Sequence, residues 1–304
     1  LVDKLDLMLG KAISESQIVQ VAYGHAKCGF AMNRRKLTPN GFRLAPNPDG
    51  MVDHDVPVLR ILSNSKVLGV VFGYACHNTA LGPITDLHGD YAGFAAAKLE
   101  QEYPEAIAMF LAGCGGDQDP SPRRHLQDAK LNGHALASAV VGAMSAELIE
   151  LEPVLSTKQQ VLPLPFAPLP SRATILEQAG SGNGFVSRHA RRILDQWPNP
   201  EDQPSDYQYP VQVCVLGKHL ILVALGGEPV AEYALRIKSD LTTTNRPVWV
   251  AGYSNRSDAY IPSRRVLKEG GYEGTEAIIF QSLPAPFREE IEDRIIQAVK
   301  QLSD

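Results

Sequence analysis

Apolar positions along the chain follow two spacings, one of about 3.6 and one of about 2 residues, and the switches between them predict the elements. Over residues 1–14 the apolar positions Leu1, Val2, Leu5, Leu7, Met8, Leu9, Ala12 and Ile13 suit a helix with one buried stripe. Residues 17–23 (QIVQVAY) are rich in β-branched side chains and bounded by Gly24, a strand signal. Residues 28–37 read as extended chain or loop. The stretch 40–53 holds the turn pairs Asn40-Gly41, Asn47-Pro48 and Asp49-Gly50 and reads as loop. Segments 57–62 and 67–75 are strands around Asn64-Ser65-Lys66, a hairpin. A helix is expected over 91–102, with Pro104 beyond its end, then a strand over 107–112 and a long Ala-rich helix over 128–146. This alternation of strand, loop and helix is an α/β pattern.

Residues 161–172 (VLPLPFAPLPSR) carry four prolines, which excludes a central strand or a helix. Beyond a Gly-rich break, Ser187 reads as the N-cap of a helix running to Trp197. Residues 198–210 form a polar, proline-rich connector. Strands over 211–216 and 219–225 flank Gly217-Lys218, which fits a two-residue hairpin loop. A helix over 230–239, a strand over 247–251 and a helix over 289–302 complete the chain. The pattern predicts one α/β domain crossed by an extended proline-rich segment.

Composition narrows the function classes. The chain has 304 residues, 44% hydrophobic and 21% charged, enough apolar content for a sizeable core. A net charge of −5 argues against a general polyanion binder, so no nucleic-acid partner is expected. The longest apolar run, 67–76, falls short of the roughly 20 residues of a membrane span, so no transmembrane segment is expected. The four cysteines are scattered without a CxxC pair. Leu1 rather than Met opens the chain, which reads as a fragment or processed form.

Candidate chemistry sits where strands stop. His77 closes the apolar run 67–76, at the strand mouth where α/β proteins place ligands; a structural strand-end histidine is the competing reading. Glu228 follows the strand over 219–225 through Gly226-Gly227; first-turn placement in the next helix is the competing reading. The loop 113–122 (GCGGDQDPSP) joins a strand to a helix, and its backbone N–H groups could cradle an anion. Gly115 and Asp117 are its candidate catalytic positions. Its Cys114 offers a thiol nucleophile, against the reading of an inert buried thiol. Arg34, in the basic pair at 34–35, could bind a carbonyl oxygen. Residues 253–274 concentrate three tyrosines, three glycines and four basic residues, a density typical of functional loops.

The order of short motifs resembles the neutral/alkaline, non-lysosomal ceramidase family, closest to its bacterial branch. The matching runs are NRR at 33–35, NPDGMVDHDVPVLRI at 47–61, YACHNTAL at 74–81 and GDYAG at 89–93. FLAGCGGDQDP at 110–120, LGGEP at 225–229 and NRSDAYIPSRRVLKEGGYEG at 255–274 follow in the family's order. The resemblance implies a single large mixed-sheet domain flanked by helices over 1–304, a catalytic domain lacking its N-terminal segment. It implies a zinc amidohydrolase cleaving the N-acyl amide of ceramide or a related lipid, at a membrane surface, in a secreted or periplasmic setting.

Carried over by motif, His77, Glu228 and Tyr260 are the implied Zn2+ ligands, and Arg34 and Tyr272 face the scissile amide. Zinc held by imidazole and carboxylate would lower the pKa of a water toward about 7. The family's other zinc-ligating His, in an HTHSGP-like segment, has no counterpart in this chain. His25 and His88 do not sit in a matching context. The alternatives are a non-catalytic relative binding a ligand in the same cleft, and a Cys114 thiol hydrolase.

Overall fold

The structure is a computed structural model that describes residues 2–304. Its first strands are β1 (Gln20–Lys27), β2 (Ala31–Thr38), β3 (Gly41–Asn47), β4 (Asp55–Ser63), β5 (Lys66–Tyr74), β6 (Ile107–Ala112) and β7 (Gln118–Pro120). Then come β8 (Ile149–Leu151), β9 (Leu155–Pro165), β10 (Asp206–Leu216), β11 (Leu220–Leu225), β12 (Glu228–Pro229), β13 (Val248–Ala251) and β14 (Tyr260–Ile261). The helices are α1 (Val2–Ser14), α2 (Asp90–Glu102), α3 (Leu126–Ser145), α4 (Arg172–Ala179), α5 (Gly184–Gln196), α6 (Ala231–Leu241), α7 (Arg264–Glu269), α8 (Ile278–Gln281) and α9 (Ile291–Ser303). None of them is long and apolar enough to cross a membrane.

The expected α/β class, with mixed sheets flanked by helices, holds; the strands are divided over several sheets. One runs in the order β6-β5-β4-β1-β8, with β5 and β6 parallel and the other neighbours antiparallel. A second runs β13-β11-β10-β9, with β11 and β13 its parallel pair. β3-β2-β7 and β12-β14 are smaller. Helices α2 and α3 cover the first sheet, where Val58, Phe72, Tyr91, Leu136 and Val140 share one buried cluster. Helices α6 and α9 cover the second through Val211, Val223, Tyr233, Ile237 and Ile295. Full burial of each such side chain is worth about 1.5–3 kcal/mol relative to exposure.

The parallel pairs explain where the site forms. Gly252 N–H donates to Ala112 O over 2.9 Å, and Gly113 bridges to Ala251, so β6 and β13 meet end to end. Trp249 packs behind this seam with Tyr23, Leu59 and Leu220. The carboxyl ends of both parallel pairs therefore open on one place, where such sheets hold ligands.

Several local expectations change. α1 forms as expected, yet no residue described in it is buried: Leu5, Met8, Leu9 and Ile13 all face solvent. Residues 40–53 are not all loop, because Asn40-Gly41 turns β3 back along β2. The proline-rich segment supplies β9, which occupies an edge, where a missing N–H breaks no ladder on its outer side. The 211–225 hairpin pairs Leu216 with Leu220, leaving a three-residue loop instead of two. Asn183, not Ser187, caps α5; the Ser187 hydroxyl donates to Ala179 O instead.

Candidate active site

His77 leaves β5 through Ala75-Cys76 and is anchored twice to one carbonyl. Its N–H donates to Gln118 O over 3.0 Å, and its ring Nδ1 lies 3.1 Å from the same oxygen. A carbonyl only accepts, so Nδ1 carries the proton and Nε2 turns toward the seam. There Nε2 stands 3.0 Å from Glu228 Oε2 and 3.2 Å from the Tyr260 hydroxyl. Glu228 arrives from the second sheet, and its N–H donates to Ala259 O over 2.7 Å. β12 pairs it in parallel register with Tyr260 of β14. The Tyr253 hydroxyl donates to Glu228 Oε2 over 3.3 Å. Three separate stretches of chain thus bring an imidazole, a carboxylate and two phenols together.

The loop 113–122 has a different role from the one expected of it. The N–H groups of Gly115, Gly116 and Gln118 donate to Gly113 O, Pro229 O and Gly115 O, so none of the three faces a ligand. A Cβ on Gly115 would meet Cys76 N at 2.6 Å, and one on Gly116 would meet Glu228 O at 2.5 Å. The glycines let the loop lie directly against the backbone that carries His77 and Glu228. Asp117 is fully buried, its carboxylate accepting from Ala231 N–H at 2.8 Å and from Asn33 Nδ2 at 3.0 Å. Gly115 and Asp117 are therefore structural supports, a correction to their expected catalytic role. Cys114 is wholly buried, and burial pushes its thiol well up, which removes the thiol-nucleophile reading.

Gln118 is the support that sequence reasoning missed. Its side chain accepts from Asp53 N–H at 2.9 Å and donates to Ala75 O at 2.6 Å and Cys114 O at 3.3 Å, while its carbonyl holds His77. A Gln inside a Gly-rich loop carries no signal of this; only the fold shows what surrounds it. Tyr253 was one tyrosine among three, and its contact with Glu228 was equally unreadable. Its left-handed φ of 53° is the kind of backbone strain that accumulates at functional sites.

Arg34 is placed beside the cluster, and four of its five N–H groups are engaged. Nε donates to Glu273 at 2.7 Å, Nη1 to Asp119 at 3.2 Å, and Nη2 to Gly116 O at 2.9 Å and to the Tyr260 hydroxyl at 3.1 Å. Glu273, also buried, bridges to Arg35 Nη1 at 2.7 Å. Arg34 therefore orients Tyr260 and supplies fixed charge behind it, with one Nη1 N–H left unengaged among the described residues. The Tyr272 ring packs against Tyr260 with centroids 5.5 Å apart, and Arg34 lies over both rings.

Electrostatics favour an ionised carboxylate among neutral phenols. Burial works to raise Glu228, but His77, Tyr260 and Arg34 outweigh it and hold the carboxyl below its ordinary value. Burial dominates at Tyr260 and pushes it up against the pull of Arg34. Tyr253 is pushed up by burial and by Glu228. Asp117 is pushed up to about 6 by burial, against the N–H of Ala231.

These donors match zinc as an incomplete shell. His77 Nε2 stands 3.0 Å from a carboxylate oxygen, a separation at which the two share a proton or a cation. The carbonyl behind Nδ1 is the usual orienting partner of a metal-bound His. Catalytic zinc takes three protein ligands, and here two are firm and the third is a neutral phenol. No group of three His, Cys, Asp or Glu side chains among the described residues is placed to hold a metal. His25 is engaged with Asp55, and His88 accepts from Asp90 N–H.

Comparison with known proteins supports the fold at low sequence identity. The structure is similar to the crystal structure of neutral ceramidase from Pseudomonas aeruginosa, with a TM-score of 0.73 and 16% identity over 99% of this chain. It is likewise similar to a ceramidase complexed with C2, at a TM-score of 0.71 and 15% identity over 97% of the chain. The chain spans about half the length of these solved ceramidases, 54% of each. No protein-family model and no curated protein sequence matches it. The protein thus has a ceramidase-like α/β fold.

Proposed function

We propose that the site hydrolyses the acyl amide of a lipid-like substrate, ceramide or a related N-acyl amide, with zinc held by His77 and Glu228 and approached by Tyr260. The observation that carries this reading is the convergence of those three side chains at the carboxyl ends of both parallel strand pairs. The likeness to ceramidase structures supports it. Zinc, when bound, would lower the pKa of a water molecule and polarise the amide carbonyl.

The chain's own residues supply the rest. Gln118 holds the imidazole so that Nε2 faces the cleft, and Glu228 stays ionised beside it. Tyr260, braced by Arg34, keeps its proton and can donate it in a hydrogen bond to the developing oxyanion, with fixed positive charge behind it. Tyr272 flanks Tyr260 with a partly exposed phenol that can do the same from the rim. The family resemblance extends the proposal to a secreted or periplasmic enzyme working at a membrane surface.

Elemental analysis and hydrolysis of a fluorogenic N-acyl amide test the reading. His77→Ala and Glu228→Ala should each remove bound zinc and lower turnover by about 10³-fold or more. Retention of both zinc and turnover in these variants would end the assignment. A second reading, a non-catalytic relative that binds its ligand in the same cleft, is favoured by the two-donor metal shell. Measurable turnover excludes it.

A further inference from the structure

Beside the site lies a cavity of about 370 Å³ with two unlike walls. Leu44 and Pro46 form part of an apolar side, and Arg34, Asp119, Arg123 and Arg124 form the other. Arg34 links this cavity to the cluster, since it bonds the Tyr260 hydroxyl that contacts His77. Three guanidinium groups against one carboxylate is an unusual lining in a protein of net charge −5.

Existing partners do not use up that charge. Asp119 takes one N–H from Arg34 and one from Arg123, and also accepts from Thr79. Arg34 also pairs with Glu273, which it shares with Arg35. Arg123 gives one N–H to Asp119 and stays part-exposed where it lines the cavity. Arg124 is exposed and makes no ion pair among them. Its backbone sits at φ +100°, a costly conformation, while its N–H donates to Ala80 O over 2.6 Å. A part-exposed guanidinium at Arg123, an unpaired one at Arg124 and an apolar wall together describe a place for an anion attached to an apolar body.

We infer that this cavity binds an anionic group, a carboxylate or sulfonate, carried by the substrate on the far side of its amide. The substrate class becomes N-acyl amides with an acidic head group. This deepens the amidohydrolase reading and rests on it for the position of the amide. Arg124 and the part-exposed guanidinium of Arg123 take the anion, and Asp119 keeps Arg123 in place.

Binding and turnover are measured separately on the full chain, with N-lauroyl glycine, N-lauroyl taurine and the neutral N-lauroyl ethanolamine as probes below their micelle concentrations. One or both acidic probes should bind about tenfold tighter than the neutral one. That preference should shrink as salt rises and fall to about threefold or less in Arg124→Gln. Lys4→Gln, on the exposed helix α1, controls for net charge and should leave it unchanged. Equal binding of all three probes, no binding of any, or a preference surviving in both Arg124→Gln and Arg123→Gln would overturn the inference. A preference seen without turnover of any probe would sink the hydrolase reading and leave the anion site standing.

Discussion

Two loops leave the seam between the sheets side by side. The first, residues 113–122, follows β6; the second, residues 252–263, follows β13. In the first, Cys114, Gly115, Gly116, Asp117 and Gln118 are all buried, and the N–H groups of Gly115, Gly116 and Gln118 are satisfied within the protein. In the second, Tyr253 and Tyr260 send their hydroxyls to Glu228 and His77, and residues 255, 257 and 258 face solvent. A Gly-rich loop after a strand looks like an anion cradle only while its N–H groups are free. Here those groups serve the protein, and the loop acts by fixing the two firm donors. The plainer-looking loop supplies the hydroxyls that reach Glu228 and His77.

The support beneath the second loop should be the most sensitive point. Glu273→Gln leaves Arg34 and Arg35 buried without their shared carboxylate. Chemical denaturation should show a loss of roughly 3–5 kcal/mol. A loss under about 1 kcal/mol would mean that this network is not what holds Tyr260 and Tyr272 in place.

Next comes the buried carboxylate of the first loop. Asp117 titrates near about 6 in the folded protein, above its ordinary value of 3.8, so the fold binds its proton more tightly than the unfolded chain does. Its contribution is present below about pH 4 and lost as pH rises through 6. Relative to Asp117→Asn, the wild-type protein should lose roughly 2 kcal/mol of stability between pH 4 and pH 7. Parallel denaturation curves for the two proteins across that range would refute it.

Gly116→Ala attacks the contact between the two regions. Its Cβ would lie 2.5 Å from Glu228 O, and backbone has little room to give. The expected cost is about 1–3 kcal/mol, with turnover reduced on the order of 10²-fold as Glu228 is displaced. Unchanged zinc content and turnover would show that the first loop does not position Glu228. Smallest is Tyr253→Phe, which removes one long hydrogen bond to Glu228 and should cost about 1 kcal/mol or less. A several-fold drop in turnover at unchanged stability would set it apart as a site residue; no change in turnover would place it outside the machinery.

His77 and Glu228 stood out in the chain as titratable residues at the ends of buried strand, where a structural role competed for both, and the resemblance of their motifs singled them out. Tyr260 and Tyr272 were readable only through the resemblance of their motifs, since a tyrosine in a loop carries no mark of direction. Helix α1 shows the opposite failure. Its apolar spacing is genuine, yet spacing describes a face and not what covers it.

Periodicity, turn pairs and proline placement act within a few residues, so the order of strands and helices follows from local sequence, as does the exclusion of a central position for the proline-rich strand. The meeting of His77 with a carboxylate 151 residues further on was settled by the seam between two sheets. So were the burial of Asp117 and Cys114, the satisfaction of the first loop's N–H groups, and the surplus of arginine beside the site. Each of these depends on which distant backbone or charge lies within about 3 Å, and hydrogen bonding and desolvation are decided at that range.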